Sequence, residues 1–246
     1  MSDNLQGFNQ RTVAFYVSEP YPCGYLPDLQ ARSQIVIPSG TIDHVLYSQL
    51  VQQGFRRGGL YIYRPHCDGC QACIPVRVPV AQFKPNRSQR RNWQHNSHLK
   101  GRQLPLRYEE RHYALYHRYQ QARHDGSSMA QDNAVQYSEF ILQSTVESWL
   151  LEFSAGDDLK IVSLIDVLDD GVSAVYAFFD PDDQQAGLGV YNVLALIEIA
   201  QRLGLPYVYL GYWIKACRKM SYKSNYQPVE ALIDGEWRLL GADELG

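Results

Sequence analysis

The sequence predicts an α/β protein of the α+β kind, with a smaller cysteine-containing N-terminal domain over residues 1–100 and an α/β domain over residues 101–246. Three observations carry this expectation. Residues 172–213 read as strand, loop, helix and strand in one run. Three cysteines crowd between Cys67 and Cys73. A polar, basic stretch from Lys84 to Leu106 then separates these cysteines from the helices and strands that follow.

Taken in order, Thr12 to Val17 reads as a strand, Pro20-Tyr21-Pro22-Cys23-Gly24 as a turn, and Arg32 to Ile37 as a strand. Ser39 or Thr41 can cap a helix that runs to Gln53, where Gly54 stops it. Gly59 to Arg64 alternates aromatics as a short strand does. In Ile74-Pro75-Val76-Arg77-Val78-Pro79-Val80 the prolines cannot donate to a ladder, which points to an edge strand or an extended segment. Lys84 to Leu106 is expected to form a connecting helix and loop. Tyr108 to His124 and Ser138 to Leu151 read as amphipathic helices, with a linker at Asp125-Gly126-Ser127-Ser128. Lys160 to Val167 and Val172 to Phe179 should pair as a hairpin about Asp169-Asp170-Gly171. A helix from about Val190 to Arg202 places Val190, Val193, Leu194, Ile197 and Ala200 on one buried face. Gly204 and Pro206 end it before the strand Tyr207 to Leu210.

The loop that opens this helix is Gln184-Gln185-Ala186-Gly187-Leu188-Gly189. Gly187 and Gly189 let the backbone turn tightly and aim unpaired N–H groups at a ligand, with the helix dipole adding partial positive charge. The plainer alternative is a tight turn with no ligand. Gln184-x-x-Gly187-x-Gly189 between a strand and a helix resembles the pyrophosphate-binding motif of the GNAT acyltransferases.

Net charge is −3, which by itself argues against a nucleic-acid partner. The distribution argues for one. Residues 84–124 hold ten Lys or Arg against Glu109 and Glu110, whereas residues 125–199 hold fourteen acids and one base, Lys160. Lys215, Arg218, Lys219 and Lys223 form a second basic segment. Such asymmetry suits one face for a polyanion. Arg87-Ser88-Gln89-Arg90-Arg91-Asn92-Trp93 also mixes guanidinium groups with an aromatic that could stack on a base. No run reaches the ~18 apolar residues of a membrane helix, so no membrane partner is expected. The first residues carry no apolar signal core, and the expected location is the cytoplasm. There, Cys23 with Cys67-x-x-Cys70-x-x-Cys73 suits zinc or an iron–sulfur cluster, or else a group of reduced thiols or a regulatory disulfide.

Further motifs widen the resemblance. They are Tyr21-Pro22-Cys23 with Tyr25-Leu26-Pro27, Cys67-x-x-Cys70-x-x-Cys73-Ile74-Pro75-Val76-Arg77-Val78 and Phe83-x-Pro85-x-Arg87-Ser88-Gln89-Arg90-Arg91. Gly187-Leu188-Gly189-Val190-Tyr191-Asn192, Leu210-Gly211-Tyr212-Trp213-Ile214 and Cys217-x-Lys219-Met220-x-Tyr222-Lys223-x-x-Tyr226-x-Pro228 complete the set. With these the chain is similar to the aminoacyl-tRNA–protein transferases of the N-degron pathway, and within them to the bacterial branch that uses leucine. Eukaryotic arginyl relatives carry a second cysteine where this chain has Leu26, which weakens transfer of their iron–sulfur cofactor. The resemblance implies a GNAT-like domain that takes leucine from leucyl-tRNA and joins it to proteins with N-terminal Asp or Glu. The alternatives are an arginyl-tRNA–protein transferase and an N-acetyltransferase using acetyl-CoA.

An aminoacyl ester is already activated, so the transfer requires no cofactor, only positioning and stabilisation of an oxyanion. An α-amino nucleophile, of pKa roughly 7.7–8.0, needs at most a weak base. Asp180, Tyr176 and Tyr191 are the candidates, although Asp180 could equally hold the substrate ammonium or cap a turn. Arg87, Arg90, Arg91, Lys215, Lys219 and Lys223, with the Gly187–Gly189 loop, are the expected tRNA contacts. Arg77 and Arg90 are the candidate cations for the acidic N-terminal side chain.

Overall fold

The expected hairpin lies at the centre of the fold. A computed structural model describes residues 13–37, 42–123 and 132–241. In it β10 (Asp158–Val167) pairs antiparallel with β11 (Gly171–Phe179) around the Asp169-Asp170 turn. These strands read as nearly continuous apolar runs because both of their faces are covered. Ile161 and Ile165 of β10 face one hydrophobic cluster, while Val162 and Leu164 face another.

Six further strands extend the sheet. On one side lie β9 (Ser148–Ala155) and then the edge strand β8 (Lys100–Leu104). On the other lie β12 (Tyr207–Trp213), β7 (Ile74–Pro79), β13 (Glu230–Ile233) and β14 (Glu236–Leu239). Neighbouring strands are antiparallel except β11 and β12, which are parallel and joined by α5 (Leu188–Arg202). α5 buries Val193, Leu194, Ile197 and Ala200 on one sheet face, as its spacing predicts. The opposite face is covered by α3 (Glu110–Arg123), α4 (Ala134–Tyr137) and a π-helical turn over Ser138–Leu142.

The N-terminal segment forms a four-stranded sheet from β1 (Ala14–Val17), β4 (Ser33–Ile37), β6 (Tyr61–Pro65) and β5 (Arg56–Gly58), in that spatial order. A two-stranded ribbon of β2 (Tyr21–Pro22) and β3 (Gln30–Ala31) accompanies it. α1 (His44–Gln52) is capped by Asp43, whose side chain accepts from Leu46 N at 3.0 Å. Ser39, Thr41, Thr12 and the linker at Asp125–Ser128 lie outside the described residues. A buried ion pair joins the two sheets: Arg57 of β5 meets Asp166 of β10 at 2.5 Å. Asp166 also accepts from Tyr47 Oη and Ser148 Oγ, each at 2.6 Å.

Three expectations fail locally. The helix expected over Ser138 to Leu151 gives way to a turn and then β9. Leu150 packs under α3 while Leu151 and Phe153 pack under α5, and periodicity cannot separate a strand buried on both faces from a buried helix. β8 was hidden in the basic stretch as a polar, exposed edge strand, the kind that blunts edge-to-edge pairing. β7 is interior, not an edge. β13 pairs with it only at Val76 and Arg77, so Pro75 and Pro79 fall outside that short ladder.

β8 and α3 are tied to β9 through Glu152. Burial alone would push this carboxyl up, but hydrogen bonds from His112, Arg102 and Arg111 outweigh it and hold it at about 2. His112 Nε2 and Arg102 Nη2 each lie 2.8 Å from it. A depressed carboxyl stabilises the fold above its unfolded value near 4.5 and loses that contribution as pH falls towards about 2. Glu152→Gln is therefore expected to lower unfolding free energy by on the order of 2–3 kcal/mol at pH 7. The gap from the parent chain should close as denaturant titrations move below pH 4.5, and a gap that stays constant to pH 2 would contradict this account.

Candidate active site

The two parallel strands do not stay together. β11 and β12 pair only at Gly171 with Tyr207, Val172 with Val208 and Ser173 with Tyr209. Beyond that point they part, and β12 bulges between Tyr209 and Gly211 in its pairing with β7. The carbonyls that β11 exposes in the gap still need donors. Arg56 of β5 supplies them: its Nη2 donates to Ala174 O at 3.0 Å and Val175 O at 2.8 Å. The guanidinium carbon lies 5.8 Å from the centre of the Tyr212 ring. Gly211 makes room for it. A Cβ at 211 would fall 2.6 Å from Arg56 Cζ, and the φ of +75° is one that only glycine adopts readily. Burial disfavours the charge on Arg56, but the phenols of Tyr63, Tyr212 and Tyr25 more than offset it.

Lys223 meets the same Tyr212 at its main chain. Expected on the surface as a tRNA contact, it is buried, because the turn Tyr222–Asn225 rolls its side chain beneath α6 (Arg218–Ser221). Its Nζ donates to Tyr212 O at 2.5 Å and touches Met220 Sδ at 3.6 Å. Burial and then Arg56 bring its ammonium down to about 7. Lys215 and Lys219 do lie on the surface, with Lys219 Nζ reaching Arg123 O at 3.5 Å.

The cysteine segment forms an adjoining wall. Leu26, Ala72 and Cys73 pack against Tyr212, Ile214, Cys217 and Met220. Cys23, Cys67, Cys70 and Cys73 are free thiols. Burial, followed by Cys67, Cys23 and Cys70 beside it, pushes the Cys73 thiol up to about 12. Cys23 Sγ accepts from Leu26 N at 3.5 Å, and Cys67 Sγ donates to Arg32 O at 3.8 Å. A tetrahedral zinc site needs thiolates about 4 Å apart. Among the described residues the set with three ligand atoms within 4.8 Å of one another is Glu109, His112 and Glu152, not the cysteines. Among the described residues no three of these sulfurs lie within 4.8 Å of one another.

At the far end of β11 the glycine loop and the basic helix meet. α2 (Arg87–His95) opens with a capping box between Asn86 and Gln89 and leaves Arg87, Arg90 and Arg91 exposed. Its Asn92 Nδ2 donates to Ala186 O at 2.9 Å and Gly187 O at 3.1 Å, and Asn96 Nδ2 donates to Ala186 O at 2.8 Å. Gly187 has φ +62°, and a Cβ there would fall 2.5 Å from Asn92 Nδ2. Gln89 Nε2 reaches Asn225 O at 3.0 Å, which ties the same helix to the Lys223 turn. The three segments expected to contact tRNA thus form one region. Trp93 is partly committed elsewhere: its ring stacks on Tyr191 at 5.0 Å.

Other expected site residues have structural partners. Asp180 is buried, accepting from Arg118 Nη2 and Lys160 Nζ, each at 2.8 Å. Burial would raise its carboxyl, but these bonds and the Asp182 amide hold it below its usual value, which makes it a poor base and a firm loop anchor. Burial pushes the phenols of Tyr176 and Tyr191 up, so neither gives a ready phenolate. Arg77 already holds Glu230 at 2.7 Å and Tyr209 Oη at 3.0 Å, and stacks on Tyr207 at 3.5 Å. Arg90 lies on the α2 surface, with Nη1 donating to Pro85 O at 2.6 Å. Sequence reasoning missed Arg56. The signal was Gly54-Phe55-Arg56-Arg57-Gly58-Gly59, two arginines between glycines in an otherwise apolar segment.

Two family profiles cover most of the chain. The one described as "Arginine-tRNA-protein transferase, N terminus" matches residues 21–91, and its C-terminal counterpart matches residues 111–233. The chain belongs to this family. Its relatives include the aspartate/glutamate leucyltransferases of Chromobacterium violaceum, 58% identical over 93% of this chain and 94% of that one, and of Thiobacillus denitrificans, 52% identical over 94% and 96%. Among solved structures it is similar to FemX, with 8% identity, a TM-score of 0.47 and coverage of 83% of this chain and 81% of that one. This member of the transferase family is an aminoacyltransferase with a mixed α/β fold, as its motifs predict. Among its described residues no helix is long and apolar enough to cross a membrane.

If the Asn92–Gly187 contact shapes the transferase's glycine loop, Gly187→Ala should destabilise the fold by about 1–2 kcal/mol, the usual cost of a side chain at positive φ. It should also weaken aminoacyl-tRNA binding. In an Asn92→Ala background the clash is gone, so a double-mutant cycle on both readouts should show coupling of about 0.5 kcal/mol or more. Strict additivity would mean that the contact does not shape the loop.

Proposed function

We propose that this transferase moves leucine from leucyl-tRNA to the α-amino group of proteins that begin with Asp or Glu, marking them in the cytoplasm for N-degron degradation. The observation that carries this reading is the near full-length similarity to relatives named aspartate/glutamate leucyltransferase, at 52–58% identity. In the reaction the amine nitrogen attacks the ester carbonyl carbon. A tetrahedral oxyanion forms and collapses, the bond to the terminal ribose oxygen breaks, and that oxygen leaves with a proton. An acceptor amine of pKa roughly 7.7–8.0 is partly neutral at cellular pH, so positioning contributes more than a strong base. The splayed strands offer the positioning. The apolar β11 suits a leucyl side chain, and the glycine loop with α2 suits the terminal phosphates.

Arg87, Arg90 and Arg91 lie on the tRNA side in this reading. Replacing all three with Ala should weaken leucyl-tRNA binding and reduce the steepness of its salt dependence by about 2–3 in the log–log slope. An unchanged slope would remove α2 from the interface. The broader test offers labelled leucyl- and arginyl-tRNA to peptides that differ only in the first residue. Leucine on Asp- and Glu-headed peptides supports the assignment, whereas arginine transfer without leucine transfer overturns it.

The transfer itself calls for no cofactor, and Cys23, Cys67, Cys70 and Cys73 are the candidate ligands of an accessory zinc or iron–sulfur site, a reading supported by the other three thiols neighbouring Cys73. Metal analysis and the absorbance spectrum of protein purified without oxygen test this. About one zinc or one cluster per chain is expected, lost on replacing Cys73 with Ser. A metal-free, fully active chain would leave the cysteines as packing thiols.

A further inference from the structure

Several cations along the sheet already have carboxylate partners. Arg77 is neutralised by Glu230, Arg118 and Lys160 by Asp180, Arg57 by Asp166, and Arg102 by Glu152. Arg56 and Lys223 differ. Among the described residues neither pairs with a carboxylate: Arg56 spends one nitrogen on two main-chain carbonyls, and Lys223 donates to a carbonyl and a thioether. Both are fixed through β12, the guanidinium against Gly211 and the Tyr212 ring and the ammonium on Tyr212 O. Their other neighbours, Tyr25, Tyr63, Cys73 and Cys217, include no carboxylate. Arg56 lines the small pocket between Ser173 of β11 and Gly211 and Tyr212 of β12. A cation that lines the gap, with a second held on the same β12 tyrosine and no carboxylate on either, lacks an anion that a ligand can bring.

We infer that Arg56 and Lys223 form the subsite that receives the side-chain carboxylate of the acceptor's N-terminal Asp or Glu. This rests on the leucyl-transfer reading above and names the residues that give it acid specificity, in place of Arg77 and Arg90. Position supports the assignment. From Val175, which holds Arg56, to Phe179 at the end of β11 the strand rises about 13 Å, at roughly 3.3 Å per residue. Terminal phosphates at the glycine loop and a carboxylate at Arg56 would thus leave room between them for a ribose, its aminoacyl ester and the attacking amine. Chemistry supports it too. A carboxylate forms charge-assisted bonds to a guanidinium, whereas Asn or Gln of nearly the same shape would fill the site and leave two cations unpaired. Burial and Arg56 depress the Lys223 ammonium, the state expected of a cation that awaits a counter-ion.

The test is calorimetric titration with short peptides headed by Asp, Glu, Asn or Gln, which needs no tRNA, alongside leucyl-transfer assays with the same peptides. The parent chain should bind the acidic peptides roughly 30-fold or more tightly than their amides, the discrimination expected from one buried charge pair. Arg56→Gln and Lys223→Met should each erase most of that preference by raising KM for the acidic peptides and not for their amides. Lys223→Met places an apolar chain of similar length in the core, and Arg56→Lys keeps a cation, so these two decide the matter if Arg56→Gln does not fold. Arg56→Lys should keep part of the preference, whereas folded Arg56→Gln or Lys223→Met that still prefers Asp to Asn overturns the subsite and leaves leucyl transfer standing. A parent chain that binds acidic peptides through Arg56 but transfers no leucine overturns the transfer reading and leaves the subsite standing.

Discussion

The site depends on β11 and β12 separating after three paired residues. Parallel neighbours in a sheet normally satisfy each other's backbone, so a gap between them leaves main-chain groups that something else must satisfy. Here a side chain from a different sheet does so. Arg56 bridges the gap from β5, donating to two β11 carbonyls while resting against Gly211 of β12. The gap is held open by a charged wedge that binds both walls, and the wedge also equips the cleft with a cation.

Arg56 can reach the gap because its neighbour is anchored. Successive strand residues point to opposite faces, so Arg57 leaves β5 the other way and enters the core. There it is almost fully buried against Asp166, with Tyr47 and Ser148 completing the shell. Removing one partner of such a buried pair typically costs about 3–5 kcal/mol, because the other charge is stranded. Its geometric effect matters more here. The pair fixes β5 against β10, and with it the point from which Arg56 departs. Asp180, held by Arg118 and Lys160, does the same at the far end of β11, where it sets the start of the glycine loop.

Much of this was legible in the sequence, and the losses have physical causes. The β10–β11 hairpin, α5 and the glycine loop were visible because turn chemistry and helical period agree with tertiary packing there. β9 was misread because a strand covered on both faces loses its alternation. The prolines of β7 suggest an edge strand or an extended segment, because proline counting ignores how short a partner strand can be. At the site, the basic helix and the glycine loop were visible as charge and as glycine spacing. Arg56 and the burial of Lys223 were not, since a lysine beside a tyrosine in a basic segment looks like surface until the Tyr222–Asn225 turn shows which way it faces. Arg77 and Asp180 have suitable chemistry in the sequence, but only contacts reveal whether a charge is already neutralised.

That distinction between spent and unspent charge bears on how the reaction can proceed. An activated ester facing an amine needs no strong base, and the titratable groups fit that requirement: Asp180 is tied down as a carboxylate, and the Tyr176 and Tyr191 phenols are pushed up. What the cleft offers instead is fixed geometry and positive charge at its foot. A cation that holds the acceptor's side chain places its amine, and it also lowers that ammonium's pKa, because a nearby positive charge disfavours a second one. Positioning and activation of the nucleophile would then come from the same two side chains. An acceptor without an acidic first residue would lose both at once, so specificity and rate would share one physical origin.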